Sequence, residues 1–168
     1  SPAAGVGIFV GDGARLDVAG VTAAKSVADL FIEVELRGDE FANNPVQRNG
    51  VLRGQKALVD IRDSVSIADL SGWTGKIGQT VEEKAASGGT VSLRSGGSVV
   101  IQANAGIDVS GGRVDYAAAP VKETVVLAAT GKTYRLNDAP ATAPYTDLGT
   151  VDRPEAAYSE GRSAGTVE

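Results

Sequence analysis

Between Gly89 and Tyr116 short apolar clusters recur at a near-constant interval. Gly89-Thr90-Val91-Ser92-Leu93, Gly97-Ser98-Val99-Val100-Ile101 and Ala105-Gly106-Ile107-Asp108-Val109 repeat one pattern, and Gly112-Arg113-Val114-Asp115-Tyr116 follows as a fourth copy. Val91, Val99 and Ile107 are eight residues apart, as are Leu93, Ile101 and Val109. Within a copy, branched apolar side chains alternate with polar or small ones, the period of a half-buried strand. The intervening Arg94-Ser95-Gly96 and Gln102-Ala103-Asn104 lack the Asn-Gly or Asp-Gly of a tight hairpin. The spacing therefore predicts strands turning the corners of a coil, with about three strands in each rung.

The same rhythm occurs near the start of the chain. Ala14-Arg15-Leu16-Asp17-Val18-Ala19-Gly20 echoes Ala105-Gly106-Ile107-Asp108-Val109-Ser110-Gly111, and Ala4-Gly5-Val6-Gly7-Ile8 precedes it. Ala164-Gly165-Thr166-Val167-Glu168 reads as the opening of one more such strand. Solenoids stack rung on rung, so rungs are expected to continue beyond both ends in a longer parent protein.

A different pattern fills the middle. Ile32, Val34 and Leu36 alternate with Glu33 and Glu35, and Ala57, Val59 and Ile61 form a second alternation, with turn residues Asn43-Asn44-Pro45 and Asn49-Gly50 between. Ile67, Leu70, Trp73, Ile77, Val81 and Ala85 fall three or four residues apart, the stripe of an amphipathic helix, firmest from Ile77 to Ala86 because Gly72, Gly75 and Gly78 weaken the earlier turns. That helix is expected to cap or plug an open edge of the coil. Thr124–Leu127 and Lys132–Leu136 flank Thr130-Gly131 as a hairpin, and the Ala-, Pro- and Thr-rich stretch after Asp138 reads as linker. The expected organisation is rung-like sequence over 1–30, inserted strands plus helix over 31–88, rungs over 89–118, a β-hairpin over 119–138, and linker with the start of a further rung over 139–168. The fold class is mainly β: a right-handed parallel β-helix segment with an inserted strand pair and one short α-helix.

Composition narrows the chemistry. The chain has 168 residues, 42% of them hydrophobic, with 22 glycines and few aromatics, which suits many short strands joined by tight turns. It contains no cysteine and no histidine, which removes disulfides, ordinary Cys/His zinc sites, Ser-His-Asp catalysis and histidine switches. The net charge of −5 is spread over mixed signs, so no basic face is offered to nucleic acid. The opening Ser1-Pro2-Ala3-Ala4-Gly5 lacks the charged and apolar regions of a signal peptide, so a targeting sequence is expected outside these residues.

Several segments together resemble the large exoproteins of the filamentous haemagglutinin family, in a region within their C-terminal parts. They are Ile32–Gly38, Pro45–Arg48, Val51–Gly54, Val59–Arg62, Ile67–Gly72, Gly88–Leu93 and Ile107–Gly112. The resemblance implies a parallel β-helix exported by two-partner secretion through an outer-membrane transporter acting on the parent protein. It implies an adhesin displayed at or released from the bacterial surface, its partner a host or neighbouring-cell protein or glycan. It supplies no catalytic residue and no cofactor, and the expected role is non-enzymatic.

Four constellations carry sharper readings. Arg37-Gly38-Asp39 is the tripeptide that integrin-type receptors read as a cation and an anion on an exposed turn, weighed against plain solvated turn residues. Asp12, Asp17 and Asp108 lie near glycines and invite comparison with a calcium-binding β-roll, although the required repetition is missing and no metal ligand is assigned. Glu33 with Glu35, and Glu82 with Glu83, are the carboxylate pairs that a polysaccharide-processing β-helix enzyme would need, and both read more simply as solvated faces. Trp73 with the four tyrosines could stack on sugars, but its place on the apolar stripe assigns it to packing.

Overall fold

A computed structural model describes residues 5–168; the Ala4 end of the first expected strand and the Ser1–Ala4 opening lie outside the described residues. In chain order the first strands are β1 (Ile8–Val10), β2 (Arg15–Asp17), β3 (Thr22–Ser26), β4 (Phe31–Glu35) and β5 (Lys56–Asp60). Three short helices follow or interleave: α1 (Pro45–Arg48), α2 (Ser71–Thr74) and α3 (Val81–Ala85). The remaining strands are β6 (Thr90–Val91), β7 (Val99–Ile101), β8 (Gly106–Asp108), β9 (Arg113–Ala117), β10 (Ala119–Ala128), β11 (Thr133–Arg135), β12 (Tyr145–Glu155), β13 (Tyr158–Gly161) and β14 (Thr166–Val167). The protein is mainly β; its sheets are small, parallel and antiparallel by turns, and none closes on itself. The chain divides into two compact units that alternate along the sequence.

The first unit comprises the described residues up to Lys25, Gln79–Tyr116 and Tyr158–Glu168. Here the four recurring clusters become β6 to β9, and none of them pairs with another. β7 runs parallel to β1 with Ile8 opposite Val99, and β8 runs parallel to β2 with Leu16 opposite Ile107. Both registers join residues 91 apart, and the first residues of β3 and β9, neighbours in a third sheet, are separated by the same interval. β14 runs parallel to β6, with Thr166 opposite Thr90. The echo between residues 14–20 and 105–111 thus marks two segments that lie side by side.

The corners explain the Asp and Gly of the repeat. Asp17 and Asp108, opposite one another in register, each accept a hydrogen bond from the backbone N–H two residues on, of Ala19 at 3.1 Å and Ser110 at 3.0 Å. This side-chain turn bends the backbone out of each strand. Beyond the bend the chains nearly touch. A Cβ added to Gly20 would lie 2.0 Å from the Ala86 carbonyl oxygen, and one on Gly112 would lie 2.1 Å from that of Val21.

Burial in this unit departs from the sequence pattern. Val114, Ala86, Ala23 and Tyr116 are buried, but Val91 and Ile107 are only half-buried and Val99 is 42% exposed beside exposed Val100 and Ile101. Equivalent positions of the repeat are thus not equally buried; in a two-stranded sheet such as β1–β7 each side chain has a neighbour strand on one side only. The helical stripe is also corrected. Instead of one amphipathic helix there are two short ones, with residues 75–80 between them. Thr80 starts α3 with a reciprocal capping box to Glu83, a local signal that outweighs the apolar spacing. Consequently Val81 is 79% exposed, Ile77 is exposed, and the buried members of that segment are Glu83 and Ala86.

The second unit comprises Ser26–Gly78 and Ala117–Ala157. β4 and β5 pair antiparallel, with Val34 opposite Ala57 and Ile32 opposite Val59, placing their apolar members on one face. β10 forms the expected hairpin with β11, Val126 opposite Tyr134, and Gly131 takes a left-handed φ of 84° in its turn. Residues 145–155, expected as linker, are instead the strand β12, antiparallel to β10 along its whole length from Ala119–Glu155 to Ala128–Tyr145. Side chains from these strands and the loops between them converge on Leu36, Phe41, Leu52, Ile67, Val126 and Leu136, all essentially inaccessible. This is the principal hydrophobic core. Buried polar groups in it are satisfied: Gln47 donates to the Ala143 carbonyl at 2.6 Å, and Thr124 Oγ1 accepts from the Leu58 N–H at 2.7 Å.

Candidate functional site

The tripeptide Arg37-Gly38-Asp39 leaves β4 through the turn its position after a strand demands. Arg37 and Asp39 are exposed. The Arg37 guanidinium bonds the Glu35 carboxylate at 3.1 Å and lies 5.7 Å from the centre of the Trp73 ring. The Arg37 backbone N–H donates to Glu40 Oε2 at 2.8 Å. The turn is thus pinned from within its own unit.

Next to this turn, Glu40 lines a cleft of about 660 Å³ whose other wall is the segment from Ile61 to Ser71. Of the residues around it, Ile67, Ala68 and Leu70 are buried in the core. The walls are joined by backbone and side-chain bonds: the Asp69 N–H donates to the Glu40 carbonyl at 2.7 Å, and Asn44 Nδ2 donates to the carbonyls of Ile67 and Ala141. Three carboxylates border the space. Glu40 accepts from Trp73 Nε1 at 2.8 Å, Asp69 from the Ser71 N–H at 3.0 Å, and Asp63 from Asn137 Nδ2 at 2.7 Å. Hydrogen bonds from the Ser71 hydroxyl and backbone hold the Asp69 carboxyl below the usual carboxylate range. Trp73 therefore both packs against the core and positions Glu40.

The other sequence candidates do not converge. Asp12 accepts from Asn104 Nδ2, and Asp108 faces Arg15 at 3.2 Å. Hydrogen bonds from the Ser110 backbone and side chain, then Arg15, depress the Asp108 carboxyl. Among the described residues no group of three or more acidic, Cys or His side chains is placed to hold a metal ion. Glu33 pairs with Lys56 at 2.7 Å and Glu35 with Arg37, so each carboxylate of that strand face has its own cation. Glu82 is exposed, whereas Glu83 is buried between Lys25 at 3.2 Å and Arg162 at 3.9 Å. Neither pair lines the cleft at Glu40.

Sequence reasoning missed the densest charge array. Across β11, β10 and β12, buried Glu123 accepts from Arg135 at 2.6 Å and Arg153 at 3.1 Å. Arg153 in turn bonds Glu155, Glu155 bonds Arg62 at 3.0 Å, and Arg62 bonds Asp60. The signal available was Glu123 two residues after Val121 on the inward face of a strand, a position that ordinarily takes an apolar side chain. With acid and base alternating along it, the array ties these strands together.

No family model, curated protein or solved structure matches the chain. Its fold and its chemistry therefore rest on its own residues. What they offer is a pinned exposed turn beside an acid-bordered cleft in one unit, and in the other unit three parallel strand pairs, two of them at a common offset of 91 residues.

Proposed function

We propose that this chain is a non-enzymatic structural and adhesive segment of a large secreted bacterial surface exoprotein of the filamentous haemagglutinin type. In this reading the first unit is a piece of parallel β-helix. The observation that carries it is the common 91-residue offset joining Ile8 to Val99 and Leu16 to Ile107 in parallel, the pairing expected between successive rungs of a coil. The coil extends; the second unit, with the Arg37-Gly38-Asp39 turn at its surface, presents a face to a host or neighbouring-cell ligand. Export of the parent through an outer-membrane transporter belongs to the same proposal.

The test is adherence of beads coated with the whole chain to epithelial monolayers, run beside a reducing-end assay on acidic polysaccharides. Saturable adherence that soluble chain competes away, with no polysaccharide cleavage, supports the proposal. Polysaccharide turnover, or adherence no greater than that of albumin-coated beads, overturns it. Asp39→Asn and Arg37→Ala then report on the turn: adherence falls in both if the tripeptide is the contact.

A further inference from the structure

In the first unit β1 and β7 form a two-stranded sheet, as do β2 and β8, so each of these strands has one edge unpaired among the described residues. The Ile8 N–H donates to the Ser98 carbonyl and the Gln102 N–H to the Val10 carbonyl. Backbone groups alternate in direction along a paired strand, so those of Val99 and Ile101 turn to the open edge of β7 and those of Phe9 to the open edge of β1. Likewise the Gly106 N–H donates to the Ala14 carbonyl and the Val18 N–H to that of Asp108, which leaves Ile107 on one open edge and Arg15 and Asp17 on the other. The two open edges are therefore complementary in the register that already joins Ile8 to Val99 and Leu16 to Ile107. Their charges match too, since Arg15 bonds Asp108 at 3.2 Å across the existing pair. Phe9, Val99, Val100 and Ile101 are exposed, and neither Ile8–Val10 nor Val99–Ile101 carries a charge or a proline. By contrast β12, an edge strand of the other unit, carries Asp147, Asp152 and Pro154, the residues that keep an edge from recruiting another strand. The layers fit as well. β3 and β13 flank β9 on opposite edges, and β14, which follows β13, pairs with β6. Among the described residues a third layer is thus begun beside β6 and has no strand beside β7 or β8, whereas the first layer has β1 and β2 and no strand beside β6.

We propose that a second copy of this chain docks the open edge of its β1 and β2 on the open edge of β7 and β8, in the register those strands share within one chain. The β14 of one copy and the β1 and β2 of the next then complete a single layer, and the contact continues the strand pairing already present inside each copy. The two edges are different surfaces, so the contact is head to tail and repeats from copy to copy. It rests on the coil reading of the first unit and is independent of adhesion.

The experiment uses the whole chain, which has no cysteine of its own. An Ile8→Cys variant and a Val99→Cys variant are oxidised mildly, each alone and mixed. The mixture should give a covalent dimer of one copy of each, and neither variant alone should give one. Dimers of Val99→Cys alone in equal yield would mean that like edges meet, and a mixture that stays monomeric would mean that no edges meet; either result overturns the docking. Both substitutions in one chain form the control, because they should close within that chain. If the control closes and the mixture does not react, the coil reading stands and the docking fails; if the control stays reduced, both fail. Sedimentation equilibrium of the unaltered chain at concentrations rising to about 1 mM should show an average mass that climbs past that of a dimer. Ile101→Lys, which sets a charge on the open edge, should return that mass to the monomer with an unchanged circular dichroism spectrum. A folded Ile101→Lys variant that associates like the unaltered chain would overturn the site, and the cysteine mixture carries the test if that variant does not fold.

Discussion

The residue with most at stake is Glu123. Its carboxylate is 5% exposed and bonded by two guanidinium groups, Arg135 and Arg153, which are 42% and 34% exposed and keep Asp138 and Glu155 as partners. Removing it takes away two charge-assisted hydrogen bonds whose cationic ends stay solvated, which costs about 1 to 2 kcal/mol, so Glu123→Ala should lower the urea midpoint by more than a surface substitution does, with circular dichroism as the readout. A shift within the scatter of surface substitutions would mean the array is ornamental. Acid should act on the same network. Burial raises the Asp60 carboxyl, but hydrogen bonds and charge from Arg62 outweigh it and leave it depressed; bonds from Arg62 and then Arg153 depress Glu155. A carboxylate depressed on folding contributes stability above its unfolded value, about 4, and loses it as pH falls through the folded one. The melting temperature should therefore hold near neutrality and decline below about pH 5. Glu155→Gln should flatten that decline; an unchanged slope would exclude Glu155 from it.

At the scale of elements, glycine identity is decided by backbone approach rather than by turn propensity. Gly112 packs against the Val21 carbonyl, whereas a Cβ on Gly106 meets nothing within 4 Å. Gly112→Ala should unfold or markedly destabilise the chain and Gly106→Ala should be nearly silent, a contrast that thermal melts of the two variants will show. The exposed stripe of α3 gives a second contrast. Val81→Ser should change stability by no more than about 0.5 kcal/mol, as for other surface sites, whereas a buried helix face would lose several times that. What was legible in the sequence follows the same logic. The alternations at Ile32–Leu36 and Ala57–Ile61, and the hairpin around Gly131, are short-range patterns and formed where expected. β12 was illegible because polar residues dominate it, Pro154 argues against a strand, and the hydrogen bonds that make it one come from β10, 17 to 36 residues away. The helical stripe misled because Thr80 and Glu83 set a new helix start within it. Of the cleft only the neighbouring tripeptide was foreseen, since the backbone bond from Asp69 to Glu40 requires the tertiary fold.

At the scale of the molecule, two units built from alternating stretches of chain hold different kinds of structure. One has three parallel strand pairs beside the antiparallel β9–β13 pair, crowded glycine corners and a thin core; the other has antiparallel sheets around Phe41, Leu52 and Ile67 and a partly buried ionic ladder. The proposed function assigns extending to the first and presenting to the second. It depends on whether the parallel registers hold in solution, because strands 91 residues apart pay a large loop-closure entropy before they pair. The absence of cysteine makes this directly measurable. Paired cysteines introduced at Leu16 and Ile107, opposite one another in register, should form a disulfide on mild oxidation, as should Ile8 with Val99. Cysteines at Val99 and Ile107, which would meet only if β7 and β8 folded back on one another, should remain reduced. Rapid oxidation of the first two pairs and not the third is what stacked rungs require; a bond between positions 99 and 107, with 16 and 107 left reduced, would contradict the parallel arrangement and the function built on it.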